Sequence, residues 1–440
     1  MNKKTAYIFH VGNMNNRGTQ ALITSDVASI NQIFNNNADI LISTSDISGV
    51  EKLNLPIKEI TSTLIDIPFE KSDELLRKKG EVKRGNKYLL FSIFYFMQMF
   101  LQLFLINVSV LFIRIGLRPI YKSDILNKIN SSDIIISCSD ENYKEGSSLY
   151  SLNVFWMLTW WSLLFSRTVD VAVASMLKKP IVMFPNSVGP FQSSVGKLLA
   201  KLTFNKFSIV LLRESISYEL VKNMKLNSNL VLSGDAALLY EVSSKSAENN
   251  KYNYSVMGIS PGFYSHILSK REIENYIEIH ARTIDYVIGK YGLHVHLLPH
   301  YVSGFENDDL EISKKIYGYV KNKEYVSIII TGSLHEFKEE LNQLELHISS
   351  KMHPTILATS NFIPAISVAY DHKQIGFYKN LDIEGMIVDL KKLKYDDFVH
   401  EIDLAWSTRN QLESKLKEKV PMLQKRILNS MKYAIESYCL

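Results

Sequence analysis

Residues 6–33 read AYIFHVGNMNNRGTQALITSDVASINQI. Ala6–Val11 is a short apolar run of strand character, Gly12–Gln20 is a Gly/Asn-rich loop, and apolar residues from Ala21 to Ile33 recur at helical spacing. Strand, glycine loop, helix is the opening unit of a doubly wound α/β domain. Gly12 and Gly18 allow close backbone approach, and the helix that follows aims free N–H groups at the loop. Asn16 and Gly18 shape that loop, and Arg17 offers a fork for a phosphate or carboxylate. The same composition also serves as an ordinary turn before a helix.

Outward from this unit, further strands are expected at Ile40–Ile42, Asp133–Cys138, Pro180–Phe184, Ile209–Leu212 and Leu230–Leu232. The polar run Val242–Asn253 (VSSKSAENNKYN) reads as a linker. Beyond it a second series is expected at Ser255–Ile259, His294–Leu298, Val326–Ile330, Leu346–Ile348 and Ala365–Ala369. The pattern predicts an α/β fold of two Rossmann-like domains, residues 1–245 and 254–395, facing across a cleft. Residues 396–440 have helical spacing and are expected to form long helices that return to the first domain.

At 440 residues, two domains are the default. Apolar residues make up 46% and charged residues 22%, ordinary for a folded chain. A net charge of +5 is too small to imply a nucleic-acid partner. Two cysteines, Cys138 and Cys439, provide neither a disulfide framework nor metal-ligand spacing, which fits a reducing compartment. The N-terminal residues run straight into a strand without a signal-peptide core, so a cytoplasmic location is expected.

Tyr88–Ile113 contains no charged residue and is rich in Leu, Ile, Phe and Met. As a helix it would reach roughly 30 Å, enough to span hydrocarbon. A single span would split the first domain across a membrane, however, and basic residues flank both ends. The favoured reading is an insertion at about 88–122 that dips into the cytoplasmic leaflet, making the protein peripheral or monotopic. The alternative is a buried core helix. Phe155–Phe165 (FWMLTWWSLLF) either extends that surface or is itself core.

Several loops fall at the carboxyl ends of strands, where α/β sheets hold ligands. Ser187 and Gly189 lie in SVGPFQ, and Ser260 lies in GISPG. Arg213 follows Ile209–Leu212 and is read as either an anion ligand or a partner of its neighbour Glu214. The segment SSKMHPTILATSNFIPAISVAYDHK (Ser349–Lys373) places His353 at a helix start beside Lys351, with Pro354 suited to the first helical position. The helix start and the lysine both lower the imidazole's pKa, so His353 is expected to be neutral near pH 7 and suited to proton transfer. His372 and Lys373 end the following strand. HVHLLPH (His294–His300) tempts as a metal set but lacks a companion carboxylate at ligand spacing, so no metal site is expected.

Taken in order, NNRGTQALI, SVGPFQ, LLRESIS, SGDAALL and SSKMHPTILATSNFIPAISVAYDHKQIGF resemble the polysaccharide pyruvyl transferase family, colanic-acid-type members in particular. The resemblance implies a glycosyltransferase-B-like pair of domains and transfer of the enolpyruvyl group of phosphoenolpyruvate to two hydroxyls of one sugar. The products are a cyclic pyruvate ketal and phosphate, with no metal or nucleotide cofactor. It implies a catalytic His353 and a donor-site Arg213. Asn16, Arg17, Gly18, Ser187, Gly189, Ser260, Lys351, His372 and Lys373 are the donor-binding candidates, and Asp140 (or Glu141) is the candidate base for the sugar hydroxyl. The partners expected are phosphoenolpyruvate, a glycan or lipid-linked saccharide, and a membrane surface; self-association is left open.

Three positions depart from the family pattern: Ser137–Asn142 (SCSDEN) where glycines are usual, Lys351 where arginine is common, and Thr19 where an acidic residue is usual. These departures motivate an alternative, a glycosyltransferase of the same fold with a nucleotide-sugar donor. A third reading is a non-enzymatic subunit of a glycan-assembly complex.

Overall fold

The computed structural model describes residues 3–65, 86–145, 154–241, 251–262, 264, 267–302 and 308–439, with only the backbone of 86–96, 99 and 154–163. Most of the Val242–Asn253 linker lies outside the described residues. The first domain runs β1 (Lys4–Val11), α1 (Arg17–Ile33), β2 (Ala38–Thr44), α2 (Ile47–Lys52), β3 (Glu59–Thr61), α3 (Asn86–Arg114), α4 (Ser123–Ser131), β4 (Ile134–Ser137), β5 (Asp140–Tyr143), α5 (Val154–Met176), β6 (Ile181–Val188), α6 (Ser194–Phe204), β7 (Ile209–Leu212), α7 (Ser215–Lys222) and β8 (Asn229–Leu232). The second runs β9 (Val256–Ser260), α8 (Lys270–Tyr291), β10 (His294–Leu297), α9 (Asp309–Tyr319), β11 (Val326–Ile328), α10 (Leu334–Leu341), β12 (Leu346–Ser349), α11 (Met352–Thr359), β13 (Ala365–Ala369), α12 (His372–Leu381), β14 (Ile387–Asp389) and α13 (Tyr395–Cys439).

Both sheets are parallel. The first has strand order β3-β2-β1-β4-β6-β7-β8 and the second β11-β10-β9-β12-β13-β14. Both reverse direction beside their first strand, so each leaves a crevice at its carboxyl edge. Strands such as Ile209–Leu212 (IVLL) are buried along their whole length because helices cover both faces, which is why they read as unbroken apolar runs.

The structure differs from the sequence reading in several places: β3 and β14 are strands the pattern does not predict, and Ser187 lies inside β6 rather than in a loop after it. The segment Asp140–Tyr143, expected as loop, is a strand that continues the line of β4 along β6, with Asp140 opposite Asn186 and Tyr143 opposite Val188. Its polarity hid it from a periodicity argument. The C-terminal tail is one helix rather than several, carrying Pro421 inside. Leu416, Val420, Leu423, Ile427 and Met431 form its buried stripe, and Ser430 bonds Ser233 at 2.6 Å, so it does return to the first domain. Pro354 occupies the third position of α11 rather than the first, still within the turn that has no N–H acceptor to lose.

Helix α3 is half packed. Gln102, Ile106, Ser109 and Val110 are buried on one side, while Met97, Phe100, Leu101, Phe104 and Leu111 point outward, each more than half exposed. Ile115, Leu117 and Ile120 continue the exposed apolar strip, with exposed Arg114 and Arg118 between them. Among the described residues, no helix is long and apolar enough to cross a membrane. Of the Phe155–Phe165 segment, the side chains of 155–163 lie outside the described residues; Phe165 packs on Phe100 with ring centroids 6.5 Å apart.

Candidate active site

A cavity of about 190 Å³ opens where the carboxyl edges of the two sheets meet. Asn16 follows β1, Asp140 and Glu141 begin β5, and Arg213 follows β7. From the second domain come His300 and Tyr301 after β10, Lys351, Met352 and His353 after β12, and Tyr370 and Lys373 after β13. Seven of the catalytic and donor-binding candidates therefore meet in one place: Asn16, Asp140, Glu141, Arg213, Lys351, His353 and Lys373.

The remaining candidates stand behind or beside the cavity. Arg17 is 8% exposed, and its guanidinium donates to the carbonyls of Pro299 (2.7 Å), His300 (3.1 Å) and Thr331 (2.5 Å). It spends its fork on clamping the first domain to the second and does not line the cavity. Ser187 Oγ accepts from Arg213 Nε at 2.6 Å and orients that side chain. Gly189 has φ +79°, a left-handed turn where a Cβ would also meet Leu220 at 2.5 Å. Ser260 bonds His347 Nε2 at 3.0 Å, and His372 pairs with Asp371 at 2.7 Å. Burial opposes the His372 charge, but the Asp371 bond outweighs it and raises the pKa.

Gly18 has a function the loop pattern alone did not reveal. A Cβ there would lie 2.1 Å from Nδ1 of His353, so the glycine makes room for the imidazole. Asn16 caps α1 by accepting from the Gly18 N–H at 2.9 Å and also bridges to Tyr301. Gly18→Ala is expected to displace the His353 ring and to cost about 1–3 kcal/mol as an overpacked site. An unmoved His353 ring signal in the variant's NMR spectrum would contradict this account.

Each cation is held by a carboxylate. Arg213 Nη1 meets Asp235 at 2.8 Å with both side chains 1% exposed, Lys351 meets Asp309 at 2.7 Å, and Lys373 meets Glu141 at 2.8 Å. Arg213 therefore pairs, but with Asp235 of the SGDAALL segment; its neighbour Glu214 instead caps α7 through the N–H groups of Ile216 and Ser217. Burial works against the charges of Arg213 and Lys373, and the surrounding carboxylates overcome it, raising both pKa values. Burial likewise opposes ionisation of Glu141, yet Lys144 and Lys373 hold it down at about 2. The Asp140 side chain, by contrast, has no hydrogen-bond or ion-pair partner among the described residues.

His353 is half-buried, and its pKa is lowered, first by desolvation and then by Arg213 and Lys373, against the opposing pull of Asp235 and Asp140. Its Nε2 is buried without a hydrogen-bond partner among the described residues. A neutral imidazole with a free nitrogen, beside three fixed cations, is equipped to bind a small anion and exchange a proton with it.

Sequence reasoning missed residues whose importance lies in tertiary contacts. Asp26 of α1 accepts from the N–H (2.7 Å) and hydroxyl (2.6 Å) of Ser139, fixing the turn before Asp140; burial raises its pKa to about 7. Asn186 donates to the Cys138 carbonyl at 2.8 Å and accepts from Asn142 N at 3.1 Å. These side chains stiffen the SCSDEN segment where glycines are usual. His294 stacks on Tyr254 at 3.7 Å, while His300 lies in the cavity wall. Among the described residues, no three His, Cys, Asp or Glu side chains form a group suited to a metal ion.

A family model described as polysaccharide pyruvyl transferase matches residues 54–372. The amylovoran biosynthesis protein AmsJ of Erwinia amylovora is 23% identical over 280 residues, 58% of this chain; the match spans 65% of the length of that curated relative. Among solved structures, a putative UDP-N-acetylglucosamine 2-epimerase from Listeria monocytogenes superposes with TM-score 0.60 at 10% identity, covering 99% of this chain and 96% of its own. The UDP-GlcNAc 2-epimerase of Methanocaldococcus jannaschii gives 0.55 at 13% identity, covering 99% of both chains. At these identities the likeness shows the two-domain fold alone.

Proposed function

Because this chain belongs to the polysaccharide pyruvyl transferase family, we propose that its interdomain cavity takes phosphoenolpyruvate and a sugar of a cell-surface or lipid-linked glycan. The enolpyruvyl group moves onto two hydroxyls of that sugar, yielding a pyruvate ketal and phosphate, without a metal or nucleotide. The observation that carries this reading is the free, buried Nε2 of His353 in a cavity lined by Arg213, Lys351 and Lys373. A carboxylate behind each cation holds it in place, while an ammonium still has donors to spare for the substrate's phosphate or carboxylate. Asp140 accepts from an acceptor hydroxyl and orients it; Glu141 is occupied by Lys144 and Lys373.

Incubating the full chain with phosphoenolpyruvate and candidate glycans, and following phosphate release together with a mass gain on the glycan, tests the reading. Phosphate release with the mass gain is expected. No ketal with any acceptor from a folded protein would overturn it. Thermal stabilisation by a nucleoside diphosphate and not by phosphoenolpyruvate would favour the nucleotide-sugar alternative.

The exposed strip of α3 supports a location at the inner face of the cell membrane. Met97, Phe100, Leu101, Phe104 and Leu111 repeat at helical spacing on the outward face, and Arg114 and Arg118 suit anionic headgroups. The protein is expected to sediment with anionic vesicles, and Phe100→Glu with Phe104→Glu to abolish this without loss of fold. Equal sedimentation of the double variant would count against the proposal.

A further inference from the structure

The cavity contains a second histidine that nothing above has put to work. His300 is 3% exposed, and its ring lies nearly parallel to that of His353, with centroids 6.4 Å and planes 21° apart. Its backbone is held by Arg17, which bonds its carbonyl, and its ring edge rests on Phe337 at 5.3 Å. Neither ring nitrogen has a hydrogen-bond partner among the described residues.

That separates His300 from histidines with a structural task. His10 bonds Ser137 and Tyr143, His280 bonds the Tyr276 carbonyl, and His347 bonds Ser260, so each uses one ring nitrogen within the fold. His300 uses neither. A buried imidazole with two idle nitrogens is a cost that the folded chain does not offset internally, and a ligand in the cavity would.

Ketal formation, the reading on which this inference rests, needs two hydroxyl protons removed, one proton placed on the donor's methylene carbon and one carried off with phosphate. We propose that His300 is the base for the first hydroxyl and that His353 is the acid for the methylene carbon. In the first step the O–H bond breaks toward His300, the oxygen bonds C2 of the donor, and the C2=C3 electron pair takes the proton from the His353 imidazolium. In the second step the C2–O bond to phosphate breaks, and the departing phosphate takes the proton from His300. The second hydroxyl then bonds C2 and returns its proton to His353. Both rings end as they began.

The surroundings divide the roles. The charged and titratable groups facing His300 are Lys351, His353, Arg17 and His347, all of which favour its neutral form after burial has done so. His353 faces Asp235 and Asp140 as well as Arg213 and Lys373, and those carboxylates stabilise an imidazolium once the donor's own negative charge arrives.

His300→Gln in the full chain tests this. Expected are a fall in turnover on the order of 100- to 10,000-fold, an unchanged thermal shift with phosphoenolpyruvate, and loss of one limb of the pH–rate profile. Turnover within threefold of the parent and an unaltered profile would overturn the assignment while leaving the family reaction standing. If the parent protein neither binds phosphoenolpyruvate nor releases phosphate from it with any acceptor, the underlying reading fails and this inference with it. Should the variant not fold, histidine NMR of the parent decides: the His300 ring signals must move with phosphoenolpyruvate, and signals that stay still while the donor binds would overturn the proposal.

Discussion

His353→Asn is expected to lower turnover on the order of 100- to 10,000-fold while leaving the protein folded, because it removes the proton carrier without breaking a bond the fold relies on. The buried Nε2 has no partner to lose, so its removal leaves no new unsatisfied group. A stability signature should accompany the kinetic one. The folded pKa of His353 lies below the ordinary imidazole value, so the unfolded chain takes up this proton first as pH falls. The contribution therefore destabilises the fold on descending from about pH 6.5 toward the folded pKa and vanishes above that window. Denaturation curves across pH 5–7 should be flatter for the variant. An active His353→Asn enzyme would remove the basis of the proposed chemistry.

Arg213→Met is expected to cost about 3–5 kcal/mol, because it leaves Asp235 buried and unpaired. Combining it with Asp235→Leu should restore much of that stability, since removing both charges leaves neither one stranded. Activity should not return in the double variant, because the cavity still lacks its guanidinium. Urea melts of the single and double variants, with phosphate release measured in parallel, separate the two roles. Full activity in the double variant would make Arg213 a purely structural residue. A double variant no more stable than Arg213→Met would show that the pair is not what stabilises this region.

The two strands read from the sequence with matching boundaries are fully buried. Ile209–Leu212 and Ala365–Ala369 emerge with the boundaries read from the chain, because a parallel strand covered on both faces has to be apolar throughout. Asp140–Tyr143 escaped because contacts outside the segment place it: the Asn142 N–H donates to Asn186, and Glu141 pairs with Lys144 and Lys373, partners that a periodicity argument does not read. Within the site, His353, Arg213, Lys351 and Lys373 were legible from their places at strand ends. His300 was visible only as one of three histidines in a strand-and-loop segment, and Arg17 looked like an anion fork until its three carbonyl partners came into view.

What the chain determined by itself was the alternation of apolar strands and helices, and with it two parallel sheets whose carboxyl edges carry the polar residues. Tertiary structure alone decided which of those residues meet. It assigned Arg17 to the domain clamp, Asp235 to Arg213, and the space above Gly18 to His353. The reason is one of range: backbone propensity and burial pattern act over a few residues, whereas a partner for a buried charge is chosen by packing between segments 22 residues apart for Arg213 and Asp235 and 282 apart for Arg17 and Pro299.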